Sequence, residues 1–279
     1  MLPIIDYTSP TAAQDFTRSL HETGFAVLSQ HPIAHTSVQQ IFTQWQAFFD
    51  RAEKFDYPFS ADKFDGYFSS AISETAKGST QKDLKEFYHV YPWGRIPPSL
   101  APDTMAYYHA ASSLAAQLLG WVEQHSPSDV AKHYSQSLSS MIDDSAQTLL
   151  RVLHYPPLNG AEPTGAVRAA AHSDINLLTL LPAANEPGLQ VQTMQGDWLD
   201  VPCDGGLLIV NIGDMLQEAS QGYFPSTIHR VMNPAGSNAH VSRLSLPLFL
   251  HPKPEVVLSK RHTAQSYLDE RLRELGMKK

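Results

Sequence analysis

Short apolar runs, separated by turn residues, dominate the second half of the chain. Val, Ile and Leu recur in segments of four to seven residues that are bounded by Pro, Gly and Asn. This pattern is typical of the strands of a β-sandwich or barrel. About eight strands in two sheets, a jelly roll within residues 146–255, are therefore predicted at 149–155, 167–172, 177–181, 189–192, 198–201, 207–211, 227–232 and 244–250.

Helical spacing prevails in residues 1–145. Phe16 and Leu20 lie one turn apart before Gly24, which predicts a helix that ends at the glycine. Further helices are predicted at about 35–51 and 98–123. Two strands are also predicted in this region, at 3–7 and 24–28. Residues 55–76 show no sustained periodicity and are predicted to be irregular.

These elements predict one domain, residues 1–279, that is mainly β with flanking helices (α+β). Residues 1–145 would form a mixed, largely helical N-terminal layer against the sheets, and residues 256–279 a C-terminal helix. A chain of 279 residues is long enough to bury a large core, and β-barrel proteins of this length are commonly single domains.

Composition narrows the class of protein. Hydrophobic residues make up 42% of the chain and aromatic residues 10%, as in an ordinary globular protein. The net charge of −8 disfavours non-specific binding to nucleic acid or anionic membranes. Cys203 is the only cysteine, so no intrachain disulfide can form. With no apolar run of membrane-spanning length and no signal-peptide pattern at the start, we expect a cytoplasmic protein.

Candidate metal chemistry begins with His172 and Asp174. Residues two apart in a strand point to the same side, so this imidazole and this carboxylate can bind one ion. Nitrogen and oxygen donors together suit a divalent transition metal better than Ca²⁺ or Mg²⁺. Such a pair also occurs by chance, with the histidine as a hydrogen-bonded structural residue. His229, 55 residues beyond Asp174 in another predicted strand, could supply a third ligand.

Arg243 and Ser245 form a second pair with strand spacing. A guanidinium fork beside a hydroxyl is a good receptor for a carboxylate. The alternative is an arginine paired with an acidic neighbour. A buried guanidinium without an anion would be costly, which favours the receptor.

With these residues in sequence, the chain resembles the isopenicillin N synthase-like branch of the non-haem Fe(II), 2-oxoglutarate-dependent dioxygenases. That family has His-x-Asp, a distal His and then Arg-x-Ser. The resemblance extends in order along nearly the whole chain, through residues 2–6, 24–25, 83–86, 155–156, 188–191, 197–198, 210–217, 220, 222 and 229–231.

The resemblance implies a double-stranded β-helix that holds Fe(II) through His172, Asp174 and His229. It further implies that 2-oxoglutarate binds the iron while Arg243 and Ser245 bind its distal carboxylate. Reaction with O2 would give succinate and CO2 and oxidise a substrate, by default through hydroxylation, with ascorbate as an optional reductant. Tyr155 would donate its hydroxyl to the cosubstrate or serve only in packing. Many relatives have Asn where this chain has Leu153, so one expected hydrogen bond is missing.

Two weaker candidates concern the substrate. Arg168 resembles an arginine that precedes the His-x-Asp motif in bacterial-looking members, and it could bind an acidic substrate. Pairing with a carboxylate across the sheet is the alternative. Tyr67 lies in a region that approaches the substrate in the family, although a surface or core aromatic residue would have the same sequence signature.

Three functions remain open at this point. The first is a 2-oxoglutarate-dependent Fe(II) dioxygenase that acts on a small molecule. The second is an Fe(II) oxidase that uses O2 without 2-oxoglutarate, as isopenicillin N synthase and aminocyclopropane carboxylate oxidase do. The third is a metal-binding or ligand-binding module without turnover. The sequence identifies neither the substrate nor the oligomeric state, because a fold does not fix a substrate.

Overall fold

Two β-sheets and a layer of helices make up the computed structural model, which describes residues 2–72, 82–184, 186–234, 236–274 and 276. The strands are β1 (Ile4–Asp6), β2 (Phe25–Ser29), β3 (Gly66–Phe68), β4 (Glu86–Val90), β5 (Leu149–Tyr155), β6 (Ala169–His172), β7 (Leu178–Pro182), β8 (Leu189–Gln192), β9 (Trp198–Asp200), β10 (Leu208–Ile212), β11 (His229–Val231), β12 (Arg243–Ser245) and β13 (Leu248–Leu250). The helices are α1 (Ala12–Thr23), α2 (His35–Phe49), α3 (Ala101–His125), α4 (Ser128–Ala131), α5 (Leu138–Met141), α6 (Asp214–Ala219) and α7 (Ala264–Glu274).

The larger sheet has nine strands in the order β1-β2-β10-β7-β13-β5-β4-β3, with β12 also paired to β5. The smaller sheet has the order β6-β11-β8-β9. Apolar residues from both sheets share one buried cluster, which includes Phe25 and Tyr155 from the larger sheet and Val191 and Val231 from the smaller. The two sheets therefore pack face to face, and the predicted mainly β fold with a double-stranded β-helix core is confirmed.

Several predicted boundaries were wrong. The strand predicted at 244–250 is divided into β12 and β13, because Pro247 has no N–H for the ladder; its carbonyl instead accepts from the backbone N–H of Arg151 at 3.0 Å. The segment predicted to be irregular contains β3, while its residues 73–76 lie outside the described part of the chain. The final helix begins at Ala264 and not at 256, since a β-bridge joins Val257 to Thr263 just before it. Residues 275 and 277–279 are also outside the described part.

The N-terminal region is mixed, and two of its strands, β3 and β4, were not predicted. Strands β1 to β4, all from before residue 146, extend both edges of the larger sheet. Helices α1, α2 and α3 do pack against that sheet through a large apolar cluster, in which the indole N–H of Trp45 donates to Thr104 at 2.9 Å. Among the described residues, no helix is both long and apolar enough to cross a membrane.

Gly24 sets the position of β2 relative to the segment that leads into β11. It ends α1 with a φ of 74°, a left-handed conformation that favours glycine. A Cβ at this position would lie 2.2 Å from the hydroxyl oxygen of Thr227. That hydroxyl donates to the carbonyl of Thr23 at 2.8 Å, which ties the end of α1 to the residue two positions before His229.

Candidate metal and cosubstrate site

His172 and His229 become neighbours through strand pairing. Strands β6 and β11 are antiparallel, and His229 lies directly opposite His172 in their register. The two ring centroids are 4.4 Å apart. Strand pairing thus brings together two histidines that are 57 residues apart in sequence.

The backbone fixes the orientation of both imidazoles. Nδ1 of His172 donates to the carbonyl of Ala170 at 2.7 Å, and Nδ1 of His229 donates to the carbonyl of Thr227 at 3.2 Å. A carbonyl can only accept, so Nδ1 carries the proton in each neutral ring. Each Nε2 is therefore left with a lone pair that can bind a metal.

Asp174 completes the group from the turn that follows β6. Thr179 and Asn211 donate to its Oδ2 at 2.5 and 2.8 Å. Its other oxygen, Oδ1, lies 3.7 Å from Nε2 of His229. The ligand atoms of His172, Asp174 and His229 all lie within 4.8 Å of one another, and they are the one such group of three among the described residues.

Burial and nearby charged groups shift the pKa values of His172 and Asp174. Burial, and then the nearby imidazole of His229, lower the pKa of His172 to about 4. Burial alone would raise the pKa of Asp174, but the two imidazoles and the hydrogen bonds from Asn211 and Thr179 outweigh it and lower the pKa. Neutral imidazole and ionised carboxylate are the forms that bind a metal. Two histidines and one carboxylate with room beside them are the donor set of non-haem Fe(II) oxygenases, so these residues fit iron.

Arg243 and Ser245 lie on β12, where Arg243 pairs with Tyr155 and Ser245 with Leu153 across β5. Arg243 is buried; its Nε donates to the carbonyl of Glu186 at 3.1 Å, and its Nη1 has no hydrogen-bond partner. Its guanidinium carbon lies 5.4 Å from the centroid of the Tyr155 ring. No carboxylate of the described residues forms an ion pair with Arg243, so the structure does not support the alternative of an acidic neighbour.

A cavity of about 640 Å³ opens beside these residues. Alternate residues of two strands face it: Leu149, Arg151, Leu153 and Tyr155 along β5, and a second series, from β12 through β13 and beyond, formed by Ser245, Pro247, Phe249 and His251. The three candidate metal ligands also line it. The predicted ligands, Ser245 and Tyr155 thus face one cavity. Arg243 does not line it, but it lies next to Tyr155, which does.

The two weaker candidates have different environments. Arg168 is completely buried and donates to the carbonyl of Val241 at 2.8 Å. Among the described residues, no carboxylate pairs with it across the sheet. Tyr67 does not line the cavity, contrary to the prediction. It lies in the core, where its hydroxyl donates to Glu86, and burial is the first cause that raises its pKa.

Sequence reasoning missed several residues around the site. Thr179 and Asn211 were not among the candidate site residues, because neither has a local pattern with a metal ligand in sequence. His251 was not a candidate either, since it has no partner nearby in sequence, yet it lies six residues after Ser245 on the same alternating series. Extending the two-residue period beyond Ser245 would have placed it in the cavity. Burial lowers the pKa of His251 to about 4.

The fold and this site define an oxygenase of the non-haem iron class. The model of the 2-oxoglutarate–Fe(II) oxygenase superfamily matches residues 146–252, and that of the N-terminal region of non-haem dioxygenases in morphine synthesis matches residues 2–108. The chain belongs to this superfamily, of which the isopenicillin N synthase-like enzymes are members. It is an Fe(II)- and 2-oxoglutarate-dependent dioxygenase.

Individual relatives cover nearly the whole chain. A candidate oxygenase from Shewanella oneidensis is 57% identical, with a TM-score of 0.89 over 99% of this chain and 98% of that one. A candidate 2-oxoglutarate–Fe(II) oxygenase family protein from Caulobacter crescentus is 29% identical, with a TM-score of 0.78 over 98% of each chain. Feruloyl CoA ortho-hydroxylase 2 of Arabidopsis thaliana is 27% identical over 92% of this chain and 71% of its own length.

Proposed function

We propose that His172, Asp174 and His229 hold the iron and that the enzyme hydroxylates a small molecule in the adjoining cavity. The observation that carries the proposal is the convergence of three metal-binding atoms within 4.8 Å, two of them from residues opposed across β6 and β11. Each ligand is held by hydrogen bonds that leave one donor atom for the metal.

Fe(II) and 2-oxoglutarate bound at this site would provide the chemistry for hydroxylation. One O2, one 2-oxoglutarate and one substrate C–H bond would give succinate, CO2 and a C–OH group. The part that the protein contributes is positioning. Hydrogen bonds from Thr179 and Asn211 occupy Oδ2 of Asp174, so that Oδ1 remains for the metal. The carbonyls of Ala170 and Thr227 hold the two imidazoles in the tautomer that presents Nε2.

Arg243, Ser245 and Tyr155 are proposed to place the cosubstrate. The Arg243 Nη1 without a partner can bind the distal carboxylate of 2-oxoglutarate, and the Ser245 hydroxyl on the same strand face can donate to it. Burial lowers the pKa of Arg243, and the opposing contributions of Tyr155, Cys203 and Glu186 do not outweigh it. A bound carboxylate would compensate the charge of Arg243. Leu153 faces Ser245 across the strands, where many relatives have an amide, so this chain relies on fewer polar contacts.

The remaining cavity is proposed to receive a small, partly apolar substrate. Phe25, Leu189 and Phe249 supply apolar walls, while Lys85 and Arg151 bring charge into the lining. Lys85 forms an ion pair with Asp83 at 2.8 Å within that lining. The cavity volume fits 2-oxoglutarate together with a compact molecule.

We place the enzyme in the cytoplasm, acting on a small molecule and not on nucleic acid or a membrane. The acidic net charge and the single cysteine, exposed and unpaired in the structure, support this placement.

The test is turnover of 2-oxoglutarate by the purified protein with Fe(II) and ascorbate, measured as succinate formed. The wild type is expected to release succinate, faster when a substrate is present. Asp174→Ala should abolish release, while Asp200→Ala, which removes an exposed carboxylate on β9, should leave it unchanged. Equal succinate formation by the Asp174 variant and the wild type would contradict the proposed ligands.

A further inference from the structure

Arg168 is a fully buried arginine whose charge has no counter-ion among the described residues. Its side chain is 0% exposed, and only Nη2 has a hydrogen-bond partner, the carbonyl of Val241 at 2.8 Å. Nε and Nη1 are buried without any partner. Buried polar groups are nearly always hydrogen-bonded, so two unsatisfied donors on one guanidinium indicate that a partner is absent from the protein itself.

A second guanidinium, that of Arg243, lies next to it and has one buried nitrogen without a partner. The carbonyl that Arg168 binds belongs to Val241, two residues before Arg243. The guanidinium carbons of Arg168 and Arg243 lie 6.0 and 5.4 Å from the centroid of the Tyr155 ring, and that ring lines the cavity. Between them the two arginines have three buried nitrogen atoms without partners.

Electrostatics makes this pair unfavourable unless an anion binds. Burial, and after it the neighbouring Arg243, lower the pKa of Arg168. Glu186 exerts an attraction on both arginines, but it forms no ion pair with either, and it meets Arg243 through its backbone carbonyl. Like charges that share a low-dielectric site repel strongly, and breaking or omitting the compensating partner of a buried charge is costly.

We infer that Arg168 is a second anchor for the distal carboxylate of 2-oxoglutarate, which it shares with Arg243. This inference rests on the proposed placement of the cosubstrate at Arg243 and Ser245. One carboxylate has two oxygens and about four lone-pair sites, so it can accept from both guanidiniums and from the Ser245 hydroxyl. The arrangement uses the donors without partners on each arginine and offsets the charge of both.

The experiment compares two ligands that differ only at the distal end. 2-Oxovalerate has the 2-oxo acid group of 2-oxoglutarate but a methyl group in place of the distal carboxylate. Binding of each compound to the Fe(II)-loaded protein is measured without O2 by isothermal titration calorimetry. The variants are Arg168→Gln, Arg168→Lys and, as the reference for a distal anchor, Arg243→Gln.

We expect the wild type to bind 2-oxoglutarate far more tightly than 2-oxovalerate. Loss of a charge-assisted hydrogen bond should weaken the binding of 2-oxoglutarate about tenfold or more in Arg168→Gln and at least as much in Arg243→Gln. Neither substitution should change the affinity for 2-oxovalerate by more than about twofold, since that ligand lacks the distal carboxylate. Arg168→Lys retains the charge but not the fork, so it should lose a smaller part of the preference.

The outcomes separate the inference from the proposed function. If Arg243→Gln abolishes the preference for 2-oxoglutarate and the Arg168 variants retain it, the inference is overturned while the cosubstrate site stands. If no variant changes the preference, the placement at Arg243 fails as well. Equal weakening of both ligands by Arg168→Gln would show a purely structural role and also overturn the inference. Folding of each variant is checked by thermal unfolding, and Arg168→Lys decides the question where the glutamine variant does not fold.

Discussion

Two buried clusters among the described residues combine imidazole and carboxylate groups, and we propose that only one of them binds a metal. The iron cluster is His172, Asp174 and His229. The Glu86 cluster is Glu86 with three partners from separate elements, Lys54, Tyr67 and His154. Residue type and burial do not distinguish the two clusters.

Hydrogen bonding within the Glu86 cluster is complete. One carboxylate oxygen meets Nδ1 of His154 at 2.8 Å, and the other accepts from Lys54 at 2.9 Å and from the Tyr67 hydroxyl. The second ring nitrogen of His154 meets the amide of Gln46 at 3.2 Å. No ligand atom remains for an ion, so this cluster joins the helices to the sheet and serves stability.

In the iron cluster the hydrogen bonds are placed differently. Backbone carbonyls bind Nδ1 of both histidines, and Thr179 and Asn211 bind one oxygen of Asp174. One donor atom on each of the three ligands is left facing the cavity. A metal site of this kind is therefore recognised by converging ligand atoms that the protein leaves without hydrogen bonds, and not by the residue types alone.

The largest effect is expected from Asp174→Ala. It removes one of three iron ligands, so we expect Fe(II) affinity to fall by about a thousandfold or more, because an isolated histidine pair binds weakly. Metal binding is measured by isothermal titration with Fe(II) in the absence of O2. If Asp174→Ala and Glu86→Ala lowered the affinity for Fe(II) equally, the proposed distinction between the two clusters would be wrong.

Glu86→Ala should act on stability instead. It leaves the Lys54 charge and the Tyr67 hydroxyl without their buried partner, so the free energy of unfolding is expected to fall by about 3 to 5 kcal/mol. Urea unfolding measures the loss. The folded variant should bind Fe(II) as the wild type does, and an unchanged unfolding curve would count against a structural role.

A smaller effect is expected from Asn211→Ala. The Asp174 carboxylate would lose one of the two hydrogen bonds that orient it, and removal of such supporting contacts typically weakens metal binding by about 10 to 100-fold. The control is Asn159→Ala, which alters an exposed asparagine that does not line the cavity. Iron affinity in the Asn211 variant equal to that of the control would mean that Thr179 alone orients the carboxylate.

The smallest effect concerns acid stability. Burial alone would raise the pKa of Glu86, but bonds from His154, Tyr67 and Lys54 outweigh it and lower the pKa. A carboxyl whose folded pKa is lowered stabilises the protein above its unfolded pKa, and this contribution disappears as the pH falls through the folded value. The wild type should therefore lose stability below about pH 4.5 more steeply than Glu86→Gln. If the free energy of unfolding fell with pH equally steeply in the wild type and in Glu86→Gln, this prediction would be contradicted.

The proposed metal ligands were candidates because of local rules. Arg243 and Ser245 have the predicted strand spacing on β12, whereas Asp174 lies in the turn after β6 and only His172 lies on the strand. His229 was a candidate third ligand from its residue type and its predicted strand, but the register that opposes it to His172 is a property of the assembled sheet. The fold class followed from the same short apolar runs.

Partners that are distant in sequence could not be predicted. His154 has no partner nearby in sequence, yet it meets Glu86, 68 residues away, because β4 and β5 pair in that register. The sequence left Tyr67 open between a cavity residue and a surface or core aromatic residue, since nothing local to β3 reveals that its hydroxyl turns toward Glu86. The division of the last predicted strand had a visible cause in Pro247, whose missing N–H was not taken into account.

The central claim is tested most directly by anaerobic titration of the Fe(II)-loaded protein with 2-oxoglutarate, followed by visible absorbance. Chelation of the iron by the 2-oxo acid group gives a weak charge-transfer band. The structure predicts a band that saturates at one 2-oxoglutarate per chain in the wild type and in Asp200→Ala, and that is absent in Asp174→Ala. A wild-type protein that binds iron but develops no band, or an Asp174 variant with an undiminished band, would contradict the claim that these three ligands form the 2-oxoglutarate-binding iron site.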